Sequence, residues 1–243
     1  MPKLEVNDNF FKNWSPDMAY VLGLITADGC LIKHKNGHRS LDITLKDKRL
    51  LEDIKKLLNS EHKIGKKTRG YRLQIKNKTL YNDLYSLGLT PRKSKTIRFP
   101  AVPPKYLSDF VRGYFDGDGS VCVWKEKRWK NSLQIRTTFV CGSLPFLKSL
   151  KTNLSEYGEL DKGKIWGGNK NNRAAYELHY GINDSLRLFN FIYKPQSFPY
   201  LNRKKQKFEF FIKSKNNFPS ARVAVNNLCQ RQSFFNVVAR ISY

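Results

Sequence analysis

The chain has 243 residues, 40 % of them apolar, enough for one large α/β domain or two closely packed half-domains with a full core. Lys and Arg outnumber Asp and Glu 45 to 20, a formal charge of +25 at pH 7 that points to a polyanionic partner, nucleic acid ahead of an anionic membrane surface. No apolar run approaches the length of a membrane span, and Cys30, Cys122, Cys141 and Cys229 form no CxxC that the scattered His34, His38, His62 and His179 could complete as a zinc module.

In chain order, Phe10-Phe11-Lys12-Asn13-Trp14 leads into Ser15-Pro16-Asp17, a capping serine with proline at the first helical position, so a helix is predicted from Pro16. Strands follow at 30–35 and 39–46, joined at Asn36-Gly37, a strong hairpin signal. Asp47 caps an amphipathic helix with Leu50, Leu51, Ile54, Leu57 and Leu58 on one face. A second strand pair, 62–68 and 71–76, turns at Arg69-Gly70, and Leu80, Leu84 and Leu87 mark a short helix ending at Gly88. The proline-rich stretch 100–106 reads as a linker between a first unit, 1–99, and a second, 107–215.

The second unit repeats the order: a helix at 107–117, strands at 120–125 and 132–140, a helix at 143–157, strands at 160–167 and 173–180, and a helix at 183–193. The charge is duplicated too, with 22 basic and 10 acidic side chains in residues 1–106 and 23 and 10 in residues 107–243, as suits two halves gripping one long anion. The stretch 216–243 has no counterpart and reads as an appendage packing Val223, Val225, Phe234 and Phe235 on the second half. The opening Met1-Pro2-Lys3-Leu4-Glu5-Val6 lacks the apolar stretch of a signal peptide. A soluble intracellular protein is expected, in prokaryotic cytoplasm or an organelle matrix, with free and mostly buried thiols.

The two units share one motif, Val21-Leu22-Gly23-Leu24-Ile25-Thr26-Ala27-Asp28-Gly29 and Val111-Arg112-Gly113-Tyr114-Phe115-Asp116-Gly117-Asp118-Gly119, with Asp28 and Asp118 90 positions apart. Each motif ends a mostly apolar helix in an acid and a glycine, the glycine supplying freedom for a sharp turn. A carboxylate at a helix C-terminus opposes the dipole and calls for a cation beside it. Small residues at Gly23, Ala27, Gly113 and Gly117 permit close helix approach, which would bring Asp28 and Asp118 to one point. A divalent metal would then relieve their repulsion, as in phosphodiester hydrolysis.

The paired motifs resemble the signature of the LAGLIDADG homing endonucleases, in their single-chain, two-repeat form. The resemblance implies an α+β fold of two αββαββα repeats related by a pseudo-twofold, with paired motif helices at the interface and two antiparallel sheets forming a DNA saddle. It implies a monomeric, site-specific endonuclease that cuts both strands of a long asymmetric DNA site to leave 3′ overhangs, with Mg²⁺ held by Asp28 and Asp118. Mn²⁺ should substitute, and Ca²⁺ should bind without supporting cleavage. Lys93 in Pro91-Arg92-Lys93-Ser94-Lys95 and Lys204 in Asn202-Arg203-Lys204-Lys205-Gln206 match the family's site lysine and are candidates for polarising water or stabilising charge. Ordinary surface lysines or phosphate clamps are the alternative for both. Asp116, where motif one has Thr26, falls at a variable position and is left out of the metal shell. Leu45 and Cys141 stand where the family commonly carries a polar residue, so the water-positioning role has no candidate.

Alternation puts Arg72, Gln74 and Lys76 on one strand face and Gln134, Arg136 and Thr138 on another, residue types suited to reading base edges. An RNA maturase or a non-cutting DNA-binding regulator on the same fold is the rival reading; retention of both acids favours cutting. The absence of intein splicing residues points to an intron or a free-standing element as host.

Overall fold

In the computed structural model, which describes residues 4–129, 132–167, 175–194 and 196–216, Ser15 opens helix α1 (Pro16–Asp28). Its Oγ accepts from the Met18 amide at 3.0 Å, and Pro16 sits where an N–H would have no intrahelical partner. Residues 18–26 are all buried, as a helix apolar on every side must be. α1 runs straight into β1 (Gly29–Lys33), followed by β2 (Arg39–Leu45), α2 (Lys48–Leu57), β3 (Ile64–Lys67), β4 (Gly70–Lys76) and α3 (Lys78–Ser86). The order then recurs as α4 (Leu107–Asp118), β5 (Gly119–Glu126), β6 (Ser132–Cys141), α5 (Leu144–Gly158), β7 (Lys164–Gly167), β8 (Tyr176–Tyr180) and α6 (Ile182–Ile192). Each repeat forms one antiparallel sheet of equivalent order, β1-β2-β4-β3 and β5-β6-β8-β7. Gly29 faces Ile43 in the first and Gly119 faces Phe139 in the second. The α+β class and the two αββαββα repeats follow as the sequence implies.

The repeats meet where α1 packs on α4. A Cβ on Gly23 would fall 2.1 Å from the Phe110 carbonyl oxygen, and one on Gly113 2.0 Å from that of Tyr20. The contacts are reciprocal: Gly23 also abuts the Tyr114 amide, Gly113 the Leu24 amide. Backbone thus lies directly on backbone, with no side chain between. Around this seam the first repeat packs Tyr20 among aliphatic residues, while the second gathers the rings of Tyr114, Phe115, Phe139, Phe146 and Phe208 in tilted and edge-on contacts.

Three features depart from the sequence reading. A further helix, α7 (Asn202–Asn216), follows α6 and lays Phe208 against Phe115, Phe189 and Tyr193. Gly29 and Gly119 adopt extended backbone at φ −86° and −91°, so no special turn requires them. Space does: a Cβ there would lie 2.7 Å from the Ile25 oxygen or 2.5 Å from that of Phe115. Cys30 and Cys122 are exposed on their strands and only Cys141 of the described cysteines is buried. Residues 173–174 of the expected last strand and the appendage from 217 to 243, Cys229 included, lie outside the described residues. Among the described residues no helix is long and apolar enough to cross a membrane.

Gly23→Ala or Gly113→Ala should cost about 3 kcal/mol or more, because the helix axes must part. Gly65→Ala, whose Cβ meets nothing within 4 Å, should stay within about 0.5 kcal/mol of wild type. Urea midpoints of the three variants check both statements.

Candidate active site

Asp28 and Asp118 are the last residues of α1 and α4, so the glycine-mediated approach of the helices also fixes their carboxylates. A Cβ on Gly117 would lie 2.4 Å from the Ala27 Cβ and 3.0 Å from Asp28 Oδ2, so the two helix tips touch. Asp28 keeps a solvent-open face but is crowded by protein on its other sides. That crowding, and next the charge of Asp118, pushes its carboxyl up to about 6, against the pull of Lys204 and Lys93. Asp118 is raised by burial, with the same two lysines opposing. The structure therefore brings Asp28, Asp118, Lys93 and Lys204 together.

The lysines are not surface side chains, and among the described residues both bond to main-chain carbonyls rather than to the carboxylates. Lys93, 8 % exposed, begins a 3-10 turn (Lys93–Lys95) after Arg92 at φ 58°, and its Nζ donates to the Gly29 carbonyl at 2.6 Å. Lys204, 3 % exposed, stands on α7 and donates to the Phe115, Asp116 and Gly117 carbonyls at 2.5, 2.8 and 3.4 Å. Those carbonyls belong to the last turn of α4, where intrahelical donors run out, and that of Phe115 also accepts from the Gly119 amide. The cation that the helix end demands is thus an ammonium. Burial pulls Lys93 down and Lys204 down to about 8, with the Asp116 charge opposing at Lys204.

A cavity of about 340 Å³ opens beside Asp28, lined also by Asp116, Gly117, Lys46, Arg69 and Arg203 but not by Asp118. A larger opening of about 880 Å³ between α5 and β7 holds none of the candidate residues. Among the described residues no three acidic, His or Cys side chains gather as a complete metal cage. Two carboxylates at touching helix tips, with Asp28 on the open cleft, nevertheless fit a hard cation, since Mg²⁺ is commonly held by one or two carboxylates with phosphate and water oxygens. The strand registers place Leu45 and Cys141 at equivalent positions at the ends of β2 and β6, so neither repeat offers a polar side chain there.

On the sheets, Arg72 is held by Asp42 on the neighbouring strand, its Nε donating to Oδ2 at 2.7 Å and its Nη2 to the same oxygen. Gln74 is half-buried and Lys76 exposed. Gln134 donates to Ser132 Oγ at 2.8 Å, and exposed Arg136 lies 5.5 Å from the Trp124 ring centroid. Thr138 is buried, because β6 is an inner strand and pairs with Ser120 on one side and His179 on the other. The two candidate sets are not symmetry mates: by register Ser40 and Asp42 match Arg136 and Thr138, and Glu177 and His179 match Arg72 and Gln74. The Asp42 clamp, Trp124 and α7 were missed from sequence. Only α7 had a signal there, in the spacing of Leu201, Lys204, Phe208 and Phe211.

Residues 15–94, from the α1 cap through Lys93, match a family model described as a LAGLIDADG-like domain. Similar solved structures include mesophilic variants of the homing endonuclease I-DmoI (TM-score 0.55, 18 % identity, 84 % of this chain and 99 % of that one). I-DmoI in complex with DNA and Mn gives 0.53 at 20 % identity over 77 % and 100 %. The LAGLIDADG meganuclease I-AabMI bound to uncleaved DNA gives 0.57 at 15 % over 85 % and 92 %. A probable translation initiation factor IF-2 of Thermococcus kodakarensis is 30 % identical over 153 residues, 59 % of this chain but 12 % of that protein. The fold and its paired motif helices define a two-repeat α+β protein whose repeats share one interface. The first repeat matches a LAGLIDADG-like domain, and the chain shares its fold with the homing endonuclease I-DmoI and the LAGLIDADG meganuclease I-AabMI.

Because Asp28 carries a raised pKa, ionising it costs stability as pH rises from its unfolded value near 4 through its folded value of about 6. In chelator, Asp28→Asn should therefore stabilise the chain by about 1 kcal/mol at about pH 7.5, after allowance for solvent screening. The gain should fade by about pH 4, where the wild-type side chain is neutral in the folded state. Thermal melts at the two pH values test the sign.

Proposed function

We propose that this chain is a monomeric, site-specific DNA endonuclease that makes a double-strand break with 3′ overhangs in a long, asymmetric target, using a divalent metal. The observation that carries the reading is the pair of carboxylates at touching helix tips, flanked by two buried lysines. Asp28 and Asp118 would hold Mg²⁺ or Mn²⁺, and Ca²⁺ without turnover. In support, I-DmoI has been solved with DNA and Mn, and with DNA and Ca, and a variant of it with its target DNA and Mg. When bound, the cation supplies Lewis-acid stabilisation of charge building on the phosphate.

The chain's own residues do the rest. Lys93 and Lys204 keep fixed positions on main-chain carbonyls, so their positive charge is preorganised toward the reacting phosphate without reorientation. One acid and one lysine from each repeat would serve one strand. The sheets carry recognition, with Arg72, Gln74 and Lys76 on one half-site and Gln134 and Arg136 on the other; the buried Thr138 is set aside as a reader. Different side chains at matched positions favour an asymmetric site read by one chain.

Incubation with a pooled duplex library and Mg²⁺ tests the reading. Wild type should release ends with one defined 3′ overhang, and Asp28→Asn and Asp118→Asn should abolish double-strand cleavage while keeping specific binding in Ca²⁺. Specific binding without cleavage in Mg²⁺ and Mn²⁺ alike would leave a non-cutting regulator instead. Normal cutting by either variant would remove that acid from the site.

A further inference from the structure

We infer that Asp116 is a positioning residue: it pins the start of α7 to the paired motif helices and thereby sets Lys204 in place, a device that repeat one lacks. The inference deepens the proposed function, since it concerns one of the two lysines assigned to that site. Asp116 is 4 % exposed, and its Oδ2 accepts from two segments outside its own helix. One donor is the Tyr20 hydroxyl on α1 at 2.8 Å; the other is the backbone amide of Leu201, just before α7, also at 2.8 Å. One turn later the Lys204 amide bonds to the Leu201 carbonyl at 2.9 Å, and the Lys204 Nζ returns to the Asp116 carbonyl at 2.8 Å. Asp116 therefore holds both ends of the four-residue stretch that delivers the lysine.

Its neighbour Arg112, 1 % exposed, steadies the approach to α7 by donating from Nε to the Pro199 carbonyl at 3.0 Å and from Nη1 to that of Ile192 at 3.3 Å. The matched residue in motif one, Thr26, turns its hydroxyl onto the Leu22 carbonyl of its own helix at 2.7 Å and ties nothing else down. Lys93 instead rides on the 3-10 turn after Arg92, whose Thr96 and Ile97 amides close on the Lys93 carbonyl at 2.9 and 2.8 Å. The second Asp116 oxygen is buried with no partner, a cost that a merely space-filling side chain would not incur. The extra acid in motif two thus answers a structural need: its lysine arrives on a separate helix that has to be docked.

The test is lysine acetylation of the metal-free full chain, read residue by residue by mass spectrometry. Lys93 and Lys204 should both be protected in wild type. In Asp116→Thr, the residue of motif one, Lys204 should react about tenfold faster while Lys93 stays protected. Tyr20→Phe, which removes one of the two donors and keeps the carboxylate, should give a smaller rise at Lys204 alone. If Asp116→Thr unfolds and exposes both lysines together, Tyr20→Phe decides: a selective rise at Lys204 upholds the inference, and no rise or a joint rise overturns it. Full protection of Lys204 in Asp116→Thr also overturns it. The footprint needs no cleavage, so its failure is distinct from failure of the endonuclease reading. On a cleaved target, Asp116→Thr should slow the same strand as Lys204→Met, with the double variant no slower; equal slowing of both strands would break the link to one half-site.

Discussion

The approach of α1 to α4 through Gly23 and Gly113 is the contact on which everything else in the molecule depends. Because each glycine receives the other helix's backbone, the helices lie closer than side chains would allow, and the two repeats share a single core rather than a side-chain interface. The same approach continues to the helix tips, where Gly117 meets Ala27 and Asp28. One steric requirement therefore sets both the pseudo-twofold and the spacing of the candidate carboxylates, and each repeat supplies half of it.

That geometry creates an electrostatic problem at the C-terminal ends of two helices, where the negative ends of the helix dipoles and two aspartates gather. The chain answers with two buried ammoniums bonded to main-chain carbonyls, which leaves the carboxylates crowded, with the charge of Asp118 acting on Asp28 and Asp28 open to the cleft. Such an arrangement is unfavourable on its own, and the proposed divalent cation would relieve it. The two lysines reach equivalent places from unlike scaffolds, a short turn in one repeat and a docked helix in the other. The pseudo-symmetry of the site is thus not matched by symmetry of its supports.

Much of this was legible in the sequence because local and global signals agree. The Ser15-Pro16 start, the Asp47 cap and the Asn36-Gly37 turn, with Gly37 at φ 83°, each have a local cause, and the structure keeps all of them. The motif pair announced the interface because close helix packing demands small residues. α7 escaped because a lysine interrupts its apolar stripe, and periodicity counts a lysine as solvent-facing. The Asp42 clamp on Arg72 escaped because its partners lie 30 residues apart and meet only once β2 pairs with β4. Alternation gave the open face of β6 but not its neighbours, so the burial of Thr138 depended on strand order. The glycines after Asp28 and Asp118 were rightly singled out for the wrong reason, since a sequence does not distinguish a need for unusual φ from a need for room.

The central claim is that two repeats place Asp28 and Asp118 within reach of each other's charge. A carbon-detected titration of the Asp28 carboxyl in the metal-free protein, compared between wild type and Asp118→Asn, tests it most directly. The account predicts titration at about 6 in wild type and a clearly lower value once the neighbouring charge is removed. An Asp28 titration unchanged by Asp118→Asn in a folded protein would mean that the carboxylates do not share one site.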